Sequence, residues 1–280
     1  MADWFRAILI EGIISNFLGM FYDVNMRVGE IAGQVGQTPQ GWNAAVFGLI
    51  QTLSETVVIP VAGMIMTFIV CYELITMVIE KNNMHDMDTF IIFKWIFKTL
   101  CAVFILTNTF DIVMFVFGLA QNVIDNSAGV IGSNLNMDIA LTDLEAQLEA
   151  METGALLGLY LESMILSLAM SAMSICIFLI IYGRMIEIYI TISIAPIPMS
   201  TMINREYGGI GNSYLKSLFA LAFQGFFIMV CVAIYAALLQ SITVAPSVRA
   251  AVWSGMGYTI LLCMILFKTG SISKSIFGAS

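Results

Sequence analysis

IYGRMIEIYITISIAPIPMSTMINREYGGIGNSYLK, residues 181–216, decides how this chain folds. Its first half is an apolar helix with one charged pair, Arg184 and Glu187. The helix stops at Ala195-Pro196-Ile197-Pro198. Two prolines two residues apart cannot continue a helix, because each lacks an N–H and its ring clashes with a carbonyl one turn back. The residue before each proline is expected to be extended. A short polar link follows, with Gly208-Gly209-Ile210-Gly211, and a new apolar run starts at Leu218. In a soluble protein this would be a loop. Here apolar runs of membrane length flank it, so the break lies in the bilayer or at its face. Broken backbone at that depth is tolerated only where it is buried in protein or lines a wet cavity.

The rest of the composition agrees. The 280 residues are 60% hydrophobic and 11% charged, against about 25% charged in an ordinary globular domain. The fold class is therefore an all-α polytopic membrane protein, with about five transmembrane helices and an N-terminal amphipathic helix. The net charge of −8 argues against nucleic acid binding over the bulk surface, and no Lys/Arg cluster is present to neutralise phosphates. Cys71, Cys101, Cys176, Cys231 and Cys263 all lie inside apolar runs, where they read as small packing residues rather than as a disulfide framework or metal site. The one histidine, His85, sits in a polar turn with no partner spacing for a metal. The opening MADWFRAILIEG lacks a basic start and a small-residue cleavage site, so no cleavable signal peptide is expected.

Asp3, Ala7, Glu11, Ser15, Gly19 and Asp23 recur every four residues, which draws a small, polar stripe along a helix. Residues 1–42 are read as an N-terminal amphipathic segment, lying in the interface or along other helices, with a true span as the alternative. Residues 43–280 form the polytopic domain. Its spans are expected at Val57–Ile79, with Pro60 in a first turn or a kink, at about Lys98–Ala120, then along Leu156–Ser200, at Leu218–Leu239 and at Ala250–Phe267. The first two form a hairpin in which Glu73 can face Lys94 or Lys98. Between the second and third lies an acidic loop, 121–152, without Lys or Arg. Leu156–Ser200 would be roughly 65 Å long as one helix, about twice the hydrocarbon thickness, so it either projects from one face or bends near Gly183.

With five spans, one side of the membrane holds Arg6, Arg27 and Arg249. The other holds Lys81, Lys94, Lys98, Arg184, Arg205, Lys216, Lys268 and Lys274. Basic residues mark the cytoplasm, so the N-terminus is placed outside and the C-terminus inside, in the cytoplasmic (inner) membrane.

No catalytic constellation is present: no nucleotide loop, no HExxH, no Ser/His/Asp set. The 208–211 glycines read as a tight turn between helices. Ionisable groups in spans are the better signal. Arg184 and Glu187, three apart on one helix face, can pair. That pair either fixes one helix against another or lines a polar path.

The order of these features resembles the TrbL/VirB-type polytopic inner-membrane subunit of type IV secretion and conjugation machines, in the style of members from Gram-positive mobile elements. The stretch that carries the resemblance is SIAPIPMSTMINREYGGIGNSYLKSLFALAFQGFFIMV, Ser193–Val230. It has the family's apolar helix, small-residue and proline break, and polar link. The link often holds a Trp after the break, and Tyr214 stands in that place here. The resemblance implies a membrane-embedded channel or scaffold subunit with no catalytic activity and no cofactor or metal. It implies a homo-oligomer, a ring being one arrangement. It also implies contact with membrane lipid, assembly and coupling ATPases and a bitopic scaffold subunit, and transient contact with DNA–relaxase or protein cargo. The positions to which it points are the Ala195–Pro198 break, with Pro196 and Pro198, and its flanking Arg205; the charge count places Lys216 with Arg205 on a cytoplasmic link. Two other readings stand beside it. Broken helices and intramembrane charges also suit a small-molecule or ion transporter, although no matched halves are visible. A pure membrane assembly scaffold needs no pathway at all.

Overall fold

A computed structural model describes residues 2–80, 89–131, 147–202, 204–240 and 248–279. Every long element among them is helical. In chain order these are α1 (Ala2–Val35), α2 (Pro39–Trp42), α3 (Ala44–Leu53), a π-helical turn (Ser54–Val58), α4 (Ile59–Glu80), α5 (Thr89–Thr107), α6 (Thr109–Ile131), α7 (Thr153–Ser193), α8 (Pro196–Thr201), α9 (Gly208–Gln240) and α10 (Val248–Phe277). Five stretches among the described residues are long and apolar enough to cross a membrane: Ala44–Ile79, Phe90–Thr107, Thr153–Ser193, Gly208–Leu238 and Trp253–Phe277. The chain is an all-α, multi-pass membrane protein. The turns expected at Lys81–Asp88, with His85, and at Ser241–Arg249 lie wholly or largely outside the described residues. So does the middle of the acidic loop, residues 132–146.

Several boundaries differ from the sequence reading, each for a local reason. The first span starts earlier, at Ala44, because Pro60, in the first turn of α4, does not end the helical run that precedes it. A proline ring at 60 would press on the carbonyl of Thr56. The ladder widens just ahead of it instead, and the Ile59 N–H reaches back five residues to the Ser54 carbonyl. The second span is not Lys98–Ala120, since a turn at Asn108 separates α5 from α6. Three successive side chains there bond the preceding turn: Thr107 Oγ1 to the Val103 carbonyl at 2.9 Å, Asn108 Nδ2 to Phe104 at 2.8 Å and Thr109 Oγ1 to Ile105 at 2.9 Å. Such back-bonding competes with the backbone ladder and bends helices. The spanning stretch ends at Thr107, and the exposed Asp111 belongs to the first turn of α6. The segment after Ala120 stays helical to Ile131, and the last helix runs on to Phe277, ten residues past its expected end. Leu156–Ser200 is assigned as one helix up to Ser193.

The contacts divide the chain into two compact units. One comprises residues 1–36, 124–183 and 226–269; the other comprises 37–123, 184–225 and 270–280. In the first, α1 lays Leu9, Ile13, Phe17, Ile31 and Val35 into a core shared with Leu156, Leu166 and Ile177 of α7. Glu11, Ser15 and Gly19, from the small and polar stripe, stay exposed. Gly12 lets α1 approach closely: a Cβ there would stand 2.5 Å from the Tyr160 ring. One turn further on, Asn16 donates to the buried Ser163 hydroxyl at 2.9 Å. Arg6 donates to the Met151 carbonyl at 2.7 Å, ahead of the first turn of α7. In this unit α9 and α10 are joined by the Tyr235–Thr259 hydroxyl pair at 3.0 Å.

In the second unit, α4 and α5 pack side by side. Lys98 is the lysine that meets Glu73, through an ion pair between Nζ and Oε1. Glu73 is mostly buried, so a lone partner is the costly state. Lys98→Met or Glu73→Gln alone should each cost about 1–2 kcal/mol. The double substitution should recover most of that loss, as read by thermal unfolding in detergent.

Candidate functional site

The candidate site is the interruption between α7 and α9, all of it in the second unit. Pro196 and Pro198 have no N–H for the carbonyls of Ile192 and Ile194, their partners in a continuous helix. Tighter bonds recapture both carbonyls: Ala195 N–H donates to Ile192 O at 3.2 Å and Ile197 N–H to Ile194 O at 3.1 Å. The wider spacing resumes where Met199 N–H reaches Ala195 O, also at 3.2 Å. The sequence expectation of an extended residue before each proline is therefore corrected. Ala195 is right-handed helical, with φ −49° and ψ −40°, and Pro196 opens α8. A first helical position suits proline because its N–H would have had no partner there.

This short helix is buried. Ala195, Pro196, Pro198, Met199, Ser200 and Thr201 all lie inside, and α8 packs against α4, α5 and the π turn. Its polar groups are satisfied locally, as buried backbone in a membrane chain requires. Ser200 Oγ donates to the Ile197 carbonyl at 2.7 Å and Thr201 Oγ1 to that of Pro198 at 2.8 Å.

The link back to α9 is held by Asn204, a buried residue whose Oδ1 accepts from the Glu206 N–H at 2.7 Å and the Tyr207 N–H at 3.1 Å. Tyr207 lies edge-on to Tyr72 of α4, with ring centroids 6.1 Å apart. The glycines have a different job from the tight turn expected of them. Residues 208–211 form the first turn of α9, and none has a positive φ. Their role is close approach: a Cβ on Gly211 would stand 2.5 Å from the Pro198 carbonyl oxygen, and one on Gly208 would stand 2.9 Å from that of Met202. Gly208 and Gly211 thus let α9 lie on the backbone of the break.

Two tyrosines tie the end of α7 in place. Tyr189 donates to the Pro39 carbonyl at 2.7 Å, and Tyr214 of α9 donates to the Thr191 carbonyl at 3.0 Å. The polar stretch before α3 is ordered by its own caps. Thr38 Oγ1 accepts from Gly41 N–H at 3.0 Å, and Asn43 Oδ1 from Ala45 and Val46 at 3.1 Å each.

The charged residues are arranged less simply than their spacing suggested. Arg184 and Glu187 lie on neighbouring turns of α7, yet their charged ends go to different partners. Arg184 is 5% exposed. Among the described residues its one hydrogen bond is a long one, 3.4 Å from a terminal nitrogen to the Ala222 carbonyl, and its Nε has no partner. Glu187 is half exposed and takes Lys274 of α10 at 3.5 Å. No residue pattern connects those two, because the last span was expected to end at Phe267, short of Lys274. A cavity of about 570 Å³ adjoins this pair, lined by Glu187, Gln224, Ser271, Lys274 and Ser275 among others. Arg205 and Lys216 are exposed, on the link and on α9.

Among the described residues no grouping of His, Cys, Asp or Glu could hold a metal ion, and the five cysteines are free. No curated protein and no solved structure matches the chain. The sequence pattern of the TrbL/VirB6 plasmid conjugal transfer-like proteins matches residues 24–196. That covers more than half of the chain, from α1 through the long helix α7 to Pro196 at the break, and the chain belongs to that family.

Proposed function

We propose that this chain, a subunit of conjugal transfer machinery by its family, is a membrane-embedded channel or scaffold part that contributes to substrate passage across the cytoplasmic membrane. The observation that carries the reading is the buried break. A helix of spanning length is interrupted by two prolines and folded onto α4, α5 and α9 rather than left against lipid. Interrupted backbone with satisfied polar groups is the kind that can border a path. The role is structural, with no chemistry of the chain's own. The exposed Arg205, on the link, and Lys216, about two turns into α9, face the cytoplasm, with the N-terminus outside, the C-terminus inside and α1 packed along α7. The working form is a homo-oligomer such as a ring, in contact with the assembly and coupling ATPases and a bitopic scaffold subunit.

The test is transfer in a donor strain lacking this chain. Conjugation should be abolished by the deletion and restored by the full-length chain in trans. The protein extracted in mild detergent should run as an oligomer. Normal transfer from the deletion strain would refute the reading. A monomer in every mild detergent would refute the oligomeric part of it.

A further inference from the structure

We propose that Glu187 is one carboxylate shared between two cations: Lys274 in the arrangement seen, and Arg184 in a second arrangement. Lys274 at the end of α10 is then alternately held and released.

Three observations carry this. First, Arg184 is 5% exposed and, among the described residues, its Nε meets no group and its guanidinium has a single 3.4 Å contact to a backbone carbonyl. A buried guanidinium in that condition is costly and draws any carboxylate within reach. Second, Glu187 is within reach. Side chains three apart on a helix lie about 5–6 Å from each other at Cβ. Third, the present Glu187–Lys274 bond is loose, at 3.5 Å between half-exposed groups. The cavity beside it leaves room for the carboxylate to turn.

The cost of the exchange is small on both sides. Exposed pairs of this kind are weak, so leaving Lys274 loses little. Reaching Arg184 satisfies a donor that now has none. The helix itself need not leave: Ser273, one residue before Lys274, is fully buried and donates to the Ala220 carbonyl. The exchange therefore holds or frees the Lys274 ammonium while α10 stays docked.

The experiment is amine acylation of the full-length protein in lipid nanodiscs. Labelling of Lys274 is read by peptide mass spectrometry against the exposed Lys216 as internal reference. Glu187→Gln should raise labelling of Lys274, because nothing then holds it. Arg184→Met should lower it by about threefold, because the carboxylate has one claimant left. Methionine matches the volume and removes the buried charge, a change that is often neutral or stabilising. If that variant does not assemble, Arg184→Gln carries the same expectation. Labelling that is the same in wild type and in the Arg184 variant, with Glu187→Gln still raising it, would mean Glu187 never leaves Lys274 and would overturn the proposal. No response to Glu187→Gln would overturn it too.

Discussion

Gly211→Val is expected to be the most damaging single substitution in the chain. A Cβ at 211 would lie 2.5 Å from the Pro198 carbonyl oxygen and 2.2 Å from Met202 Cγ. The methionine tip can swing away, but the carbonyl belongs to the backbone of a buried helix and cannot. Alanine already makes the first clash, and the branches of valine add to it. Overpacking of this kind costs about 1–3 kcal/mol, and the clash with fixed backbone puts Gly211→Val at the upper end. The readouts are a lower unfolding midpoint in detergent and a loss of monodisperse protein. Gly209→Ala is the internal control. Nothing lies within 4 Å of its Cβ position, and alanine in a helix gains up to about 1 kcal/mol over glycine. It should be neutral or slightly stabilising. If the two variants behave alike, the close approach of α9 to the break is not what holds this region together.

The second large effect is expected at the break itself. Pro196→Ala with Pro198→Ala returns two N–H groups to the carbonyls of Ile192 and Ile194, which are now bonded by tighter turns. Nothing then prevents α7 from running straight on. A straight helix would carry Met199, Ser200 and Thr201 out of their places against α4 and α5. Alanine is also the best helix former, so the chain should still fold and insert. Transfer should therefore fall by roughly an order of magnitude or more while abundance in the membrane changes little. Equal losses of transfer and abundance would make the prolines ordinary folding determinants. Normal transfer would make the break incidental.

Much of this architecture is legible in the residues, and the parts that are not have physical causes. Apolar length alone locates the membrane helices, because lipid leaves the backbone few options. The paired prolines announce an interruption without saying what form it takes. The answer, a short buried helix opened by Pro196, depends on Ser200 and Thr201 to satisfy carbonyls and on α4 and α5 to cover it. Those are tertiary facts. Gly208 and Gly211 carried a signal that was open to another reading. Their three-residue spacing puts both on one helix face, which suits close approach at least as well as a turn. The Thr107-Asn108-Thr109 run was likewise visible, as three consecutive side chains able to bond the preceding turn, yet hydropathy passes straight through it. Arg184 and Glu187 show the limit most sharply. Spacing on one helix gives proximity, but the partner of Glu187 arrives from Lys274, 87 residues away.

The most direct test of the central claim asks what passes the break during transfer. A photo-crosslinking residue is placed at Arg205, at Gly209 and, as a reference, at Leu168 on the exposed apolar side of α7. Mating cells are then irradiated. The proposed conduit predicts that transferring substrate DNA is captured from positions 205 and 209 and not from 168. Absence of capture at 205 and 209, in cells that conjugate normally with those substitutions, would contradict it.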